Sequence, residues 1–165
     1  MDLVAAKGRL RVLDDLDTIV DFSARLAAES EGIELDHEVL SAGIRSALED
    51  ASKARYFLAE VAGDDGCPEI AGQLMITYEW SDWRDGMFIW IQSVYVRGEE
   101  RRKGVFRALY KHVTELASSP GYCGVRLYVH DGNTSARETY LRLGMVEPGY
   151  TVLETSDELK HEDKD

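Results

Sequence analysis

Apolar residues recur at a spacing of two at the start of the chain, at three and four through the next forty or so residues, and at two again through the middle. That order predicts a strand, a pair of helices and then a sheet. Arg9 to Leu13 alternates as a short strand, and Asp14 and Asp15 follow as helix N-caps. Leu16, Ile19, Val20, Ser23, Leu26 and Ala27 line one side of a first helix ending near Glu29 to Gly32. A second helix begins around Asp36, turns Leu40, Ile44, Ala47 and Leu48 inward and ends by Ser52. Tyr56 to Val61, Ile70 to Tyr78 and Met87 to Val96 read as strands joined by the turns Gly63-Asp64-Asp65-Gly66 and Ser81 to Gly86, an antiparallel meander. In the third of these, alternation sends Phe88, Trp90, Gln92 and Val94 to one face and Ile89, Ile91, Ser93 and Tyr95 to the other. Apolar residues on both sides imply a central strand covered on both faces.

After Gly104 the period returns to helical, with Val105, Ala108, Leu109, His112, Val113 and Leu116 on one stripe and a stop at Ser118-Ser119-Pro120-Gly121. The next strand, Val125 to His130, is reached through this helix and so lies most simply parallel to Met87–Val96. A last helix runs from Thr134 to Leu143, is stopped by Gly144, and Val146 to Glu154 is expected to complete the sheet. The fold class is α/β in the α+β sense: a mixed, largely antiparallel sheet with one parallel βαβ unit and flanking helices. Residues 1–154 are expected to form a single domain and residues 155–165, without apolar period, a polar tail.

Composition narrows the chemistry. A length of 165 residues suits one hydrophobic core. A formal charge of −12 argues against nucleic acid, which is held by clustered Lys and Arg, and fits a cationic partner or simply a soluble surface. Cys67 and Cys123 show neither metal-ligand nor redox spacing, and His37, His112, His130 and His161 are scattered, so no metal is expected and His112 reads as a packed core residue. There is no apolar run near the ~20 residues of a membrane span and no basic leader followed by an apolar stretch, which makes cytoplasmic localisation without membrane attachment the expectation. Neither a Gly-x-Ser-x-Gly elbow nor a Gly-x-x-x-x-Gly-Lys-Ser/Thr loop is present.

The stretch from Trp90 to Tyr110 has positive chemical content. A strand runs into Arg97-Gly-Glu-Glu-Arg-Arg-Lys103, and Gly104 opens a helix whose first backbone N–H groups lack intrahelical partners. With the helix dipole added, such a junction accepts an anion such as a phosphate. Arg97, Arg101, Arg102 and Lys103 either add local positive charge for that anion or form a solvated turn balanced by Glu99 and Glu100.

Read together, Arg101-Arg102-Lys103-Gly104-Val105-Phe106 and the later block Asn133, Ala136, Tyr140, Gly144 and Met145 resemble two signatures of the GNAT superfamily of N-acetyltransferases. These are Arg/Gln-x-x-Gly-x-Gly/Ala and Asn-x-x-Ala-x-x-x-Tyr-x-x-x-Gly-Phe, and the order of elements matches along nearly the whole chain. The resemblance implies a fold of that kind and acyl transfer from acetyl-CoA directly to a primary amine, with no metal. It implies that backbone amides from Arg102 through Val105 and Phe106 to Arg107 hold the pyrophosphate. Main-chain groups around Tyr95, at Val94 and Val96, would pair with the pantetheine arm. Asn133 and Ala136 would lie beside the cofactor, Asn133 serving equally well as a helix N-cap. Tyr140, otherwise a packing residue, would protonate the departing thiolate. Phe106 departs from the family's Gly or Ala and leaves the acyl-chain preference open.

An amine must lose a proton before it attacks, yet the Met87–Val96 strand carries no carboxylate, only Gln92 and Ser93. Glu79, Asp82 and the Glu29/Glu31 loop are the substitutes, with Glu79 the candidate base, and each is also an ordinary surface carboxylate. Glu29 and Glu31 are helix-end dipole partners or an acidic wall for an ammonium group; Trp80, Asp82 and Trp83 would form an aromatic and acidic acceptor mouth, Trp80 serving equally as core filler. A small cationic amine is the expected acceptor, a peptide or protein amine the weaker one, and a homodimer through an edge strand is compatible with this fold. The missing strand carboxylate leaves one rival, a non-catalytic acyl-CoA-binding sensor or regulatory module.

Overall fold

The computed structural model describes residues 9–10, 15–63, 66–153 and 155. The chain divides into two compact units, Met1–Tyr128 and Val129–Asp165. In the first unit the elements run β1 (Arg9–Leu10), α1 (Leu16–Glu31), α2 (His37–Glu49), β2 (Arg55–Ala62), β3 (Pro68–Ser81), β4 (Gly86–Val96), a 3-10 turn at Gly98–Glu100, α3 (Val105–Ala117) and β5 (Tyr122–Leu127). The sheet order is β1-β2-β3-β4-β5, antiparallel throughout except for the parallel β4–β5 pair. Residues 11–14, which complete the expected first strand and hold Asp14, lie outside the described residues.

The ends of the helices follow from local chemistry. Asp36 caps α2 by accepting from the N–H groups of Glu38 (2.9 Å) and Val39 (3.0 Å). Asp15 stands at the N-cap of α1 without a side-chain capping bond. The helix stops where Gly32 takes a φ of 68°, a conformation cheap only for glycine.

One face of the sheet is covered by α1 and α2: Leu16, Ile19, Val20, Ile44 and Ala47 pack with Tyr56 and Leu58, and Phe22 meets Tyr95 with ring centroids 5.0 Å apart. Gln73, fully buried on that face, donates to Ser23 Oγ at 2.9 Å. The opposite face carries α3, where His112 packs edge-on against Phe57 at 4.8 Å, as its place on the apolar stripe predicts.

The register of β4 on β3 corrects the simple alternation. Val94 pairs with Leu74 and Ser93 with Met75, but Ile76 pairs with Ile91, so Gln92 is an extra residue in a β-bulge. An inserted residue reverses the parity of every side chain beyond it. Phe88 and Trp90 therefore share the face of Ser93 and Tyr95, while Ile89 and Ile91 join Val94 on the α3 face, where both isoleucines are buried.

The second unit contains α4 (Thr134–Arg142). Asn133 caps it, its Oδ1 accepting from Ala136 N–H at 3.1 Å. It closes in a Schellman motif: Gly144 N–H reaches Leu141 O (3.0 Å), Met145 N–H reaches Tyr140 O (3.1 Å), and Gly144 sits at φ 92°. The expected strand from Val146 is not formed among the described residues 146–153. Pro148 has no N–H for a ladder, Gly149 sits at φ 78°, and Val146, Tyr150, Val152 and Leu153 are exposed. Glu154 and residues 156–165 of the expected tail lie outside the described residues.

Gly72 sits where β4 and the start of α3 leave no room for a side chain, since a Cβ there would stand 2.7 Å from Tyr95 O and 3.1 Å from Val105 Cγ1. Gly72→Ala is expected to lower the unfolding free energy by about 1–3 kcal/mol in a urea titration, because backbone must give way. Gly43→Ala is the control: it lies exposed within α2 with nothing within 4 Å of an added Cβ, and should raise stability by about 0.5–1 kcal/mol. A Gly72→Ala protein as stable as the parent would mean that α3 does not depend on this close approach.

Candidate active site

The β4–β5 ladder stops at Ile91–Leu127, although β4 continues to Val96. On its other edge the pairing with β3 persists to Gly72–Val96, and Arg97 N–H donates to Ala71 O at 2.9 Å. Main-chain groups alternate sides along a strand, so those of Val94 and Val96 face away from β3, on the side that β5 has left. Beyond this opened edge the chain turns through two left-handed residues, Arg102 (φ 63°) and Gly104 (φ 94°), before α3 begins. The N-cap is a glycine and supplies no side-chain acceptor. Ala108 N–H makes the bond to Gly104 O (3.0 Å), so earlier amides such as those of Val105 and Arg107 point out of the helix end. An opened strand edge and an uncapped helix N-terminus on consecutive elements suit a ligand with amides in one part and a diphosphate in another.

The basic side chains here divide into two kinds. Arg101 Nε donates to Val96 O at 2.9 Å while its Nη2 is ion-paired with Glu29. Lys103 pairs with Glu100 at 3.1 Å, and Arg97 with Glu69 at 3.0 Å. Arg102 and Arg107 are exposed and engage no carboxylate among the described residues, which leaves them as the side chains able to meet an anion. Phe106 is half-buried, with its ring centroid 5.9 Å from that of Tyr110 one turn along the same helix.

Glu29 is drawn into this loop. Tyr95 Oη donates to its Oε1 at 3.1 Å, and the Arg101 guanidinium stands 5.7 Å from the centre of the Tyr95 ring. The hydrogen bond from Arg101 holds the Glu29 carboxyl below the usual carboxylate range, against a smaller opposing effect of desolvation. Tyr95 is pushed up, chiefly by burial and then by Glu29. Glu31, on the last turn of α1, is exposed.

Residues expected to form the acceptor mouth are not gathered in one place. Tyr95, with Glu29, lies eight residues along β4 from Met87, the partner of Trp80, a distance of about 26 Å at ~3.3 Å per residue. Trp80 and Glu79 are neighbours on one strand and so point to opposite sheet faces. Trp83 is 84% exposed at the hairpin tip, its N–H donating to Asp82 Oδ1 at 2.9 Å.

Glu79 instead joins a cluster that sequence spacing does not reveal. Its Oε1 accepts from Arg126 Nη1 at 2.7 Å and its Oε2 from the Trp90 indole N–H. Arg126 lies 3.7 Å over the Phe88 ring, and Tyr128 stacks at 4.4 Å on Trp90. The face is right only because of the Gln92 bulge and because β5 sets Arg126 beside Trp90. Asn133, Ala136 and Tyr140 belong to the second unit, where Asn133 caps α4 and Tyr140 is half-buried two residues before its end. Among the described residues no group of His, Cys, Asp and Glu could hold a metal ion, and no helix is long and apolar enough to cross a membrane.

Comparison with known proteins places this geometry. The family model described as the Acetyltransferase (GNAT) family matches residues 19–145. The crystal structure of a possible acetyltransferase from Clostridium difficile 630 is 43% identical and superposes with a TM-score of 0.82, covering 90% of this chain and 95% of that one. Thialysine N-epsilon-acetyltransferase of Bos taurus is 31% identical over 90 residues, 53% of this chain and 52% of the relative. The Caenorhabditis elegans protein of the same name is 33% identical over 72 residues, 44% of each. The matches thus span about half the length of these curated relatives or less.

The Glu29–Arg101 pair yields a pH-dependent expectation. A carboxyl with a depressed folded-state pKa stabilises the fold above its unfolded pKa, and the contribution is lost as pH falls through the folded value. Thermal melts of the parent and Glu29→Gln should therefore differ by up to ~1 kcal/mol above about pH 5, as for an exposed pair. The gap should close as pH falls below about 4; a gap independent of pH would show that the pair does not titrate as one.

Proposed function

The chain belongs to the GNAT acetyltransferase family, and we propose that it moves an acetyl group from acetyl-CoA directly to the primary amine of a small, cationic acceptor. The observation that carries this reading is the uncapped start of α3, entered through left-handed Arg102 and Gly104, next to the edge of β4 that β5 has left. Amides of the first turn of α3 would hold the pyrophosphate, with Arg102 and Arg107 as its side-chain partners. Val94 and Val96 would bond the pantetheine amides, and bound coenzyme A supplies an acyl group activated as a thioester. Tyr140 would protonate the departing sulfur, a role supported by its place in the Asn133 to Met145 signature. The names of the bovine and nematode relatives support an amine on a small molecule.

Glu79 is held by Arg126 and Trp90 at both oxygens, which favours a carboxylate that positions its neighbours over one that takes a proton. On this reading the amine sheds its proton through water. The same observation also favours a second reading, a non-catalytic acyl-CoA-binding module.

The two are separated by a thiol-release assay over a broad amine panel. Release with small amines supports the enzyme, whereas tight acetyl-CoA binding without release across the panel favours the module. In the enzyme, Tyr140→Phe should lower kcat by roughly 100-fold or more, and an unchanged kcat removes Tyr140 from the mechanism. Replacing Arg102 and Arg107 together by Ala should raise KM for acetyl-CoA several-fold with a smaller change in kcat.

A further inference from the structure

The cluster around Glu79 presents opposite charges side by side, both partly exposed. Arg126 spends one nitrogen, Nη1, on Glu79, and its guanidinium carbon stands 3.7 Å over the centre of the Phe88 ring, which restricts the side chain. Its other nitrogens make no hydrogen bond among the described residues, and 31% of the side chain is exposed. A guanidinium carries five N–H donors, so a two-pronged edge is left for a second carboxylate. Glu79, 43% exposed, accepts one bond at each oxygen, while an ionised carboxylate has about four lone-pair sites. It can therefore also accept from an ammonium group.

We propose that Glu79 and Arg126 form the head-group subsite for an α-amino acid acceptor, Arg126 taking its carboxylate and Glu79 its α-ammonium, with the reacting amine at the far end of the acceptor's side chain. The inference rests on the small-amine acetyltransferase reading above. Position along the sheet selects the distal amine. Glu79 sits on the Phe88 rung, three residues and about 10 Å short of the Ile91 rung where β4 and β5 part. An α-amine held at Glu79 is too far from that opening, whereas an amine four or five bonds further out approaches it. Trp90 and Tyr128, stacked between the two places, supply an apolar wall for the connecting chain. Trp90 also fixes Glu79 by its N–H and is a positioning residue in this scheme.

The test uses thialysine and its decarboxylated diamine, which share the reacting end and differ in the carboxylate. The parent protein should favour thialysine by 10-fold or more in kcat/KM, and Arg126→Met should bring that ratio to about one. Arg126→Lys, which keeps the charge and loses the planar fork, should give a ratio between these. Thialysine methyl ester, assayed with the parent protein alone, should behave like the diamine and needs no variant to fold. Acetylation of both compounds by the parent without preference overturns the head-group subsite and leaves the amine acetyltransferase standing. Equal losses with both compounds in Arg126→Met would make Arg126 structural and also overturn it. No thiol release from any small amine removes the small-amine reading and this inference together.

Discussion

One surplus residue in β4 decides which side chains share each face of the sheet. β3 pairs with Ser93 and then with Ile91, so Gln92 bulges and the strand changes parity at that point. Above the bulge, Tyr95 and Ser93 lie under the helices of one face; below it, Phe88 and Trp90 occupy that same face, where Glu79 and Arg126 meet them. Without the extra residue, Ile89 and Ile91 would take that face and leave the core beneath α3. The bulge also falls one residue beyond the last rung of the β4–β5 ladder, so change of parity and opening of the sheet coincide.

An acidic chain with a formal charge of −12 must keep positive potential where an anion is to bind. For the proposed pyrophosphate it would do so chiefly with backbone. The start of α3 has a glycine N-cap and no side-chain capping bond, so its first oriented amides are left for a ligand, whereas those of α2 are taken by Asp36. Several nearby cations are already committed, Arg101 to Glu29 and Val96 O, Lys103 to Glu100, and Arg97 to Glu69. These pairs shape the loop, and Glu29 with Tyr95 ties the end of α1 to it. Solvent-exposed pairs of this kind contribute little to stability, and their larger effect here is to hold a turn that contains a non-glycine residue at positive φ.

Much of the candidate site was legible where the proposed function and local backbone chemistry use the same residue. Gly104 reads as a helix start and becomes the N-cap at φ 94°; Asn133 and Gly144 read as the ends of a helix and become its cap and its Schellman glycine. Asp36, Gly32 and the apolar stripe of α3 are similar cases. The failures are of another kind. Val146 onward has apolar residues but no ladder, because alternation describes a strand's faces and says nothing of a neighbour able to pair with it. Glu29, read either as a dipole partner or as an acidic wall, and Trp80 and Trp83, read as an acceptor mouth, attach to opposite ends of β4 and its hairpin. Arg126 and Tyr128 carry no motif and were invisible until β5 was set beside β4.

The chain by itself therefore determined the types and order of the elements through α4, the caps at Asp36, Asn133 and Gly144, the parallel βαβ unit and the helix start at Gly104. Each of these depends on φ/ψ preferences and hydrogen bonds within a few residues, or on a period of two or 3.6. Tertiary structure alone decided which face each side chain of β4 takes, where the β4–β5 ladder ends, and that Glu79, Phe88, Trp90, Arg126 and Tyr128 form one cluster. Those outcomes turn on register between strands up to 47 residues apart, as from Glu79 to Arg126. One bulge residue is enough to reverse the faces, and local pattern does not encode it.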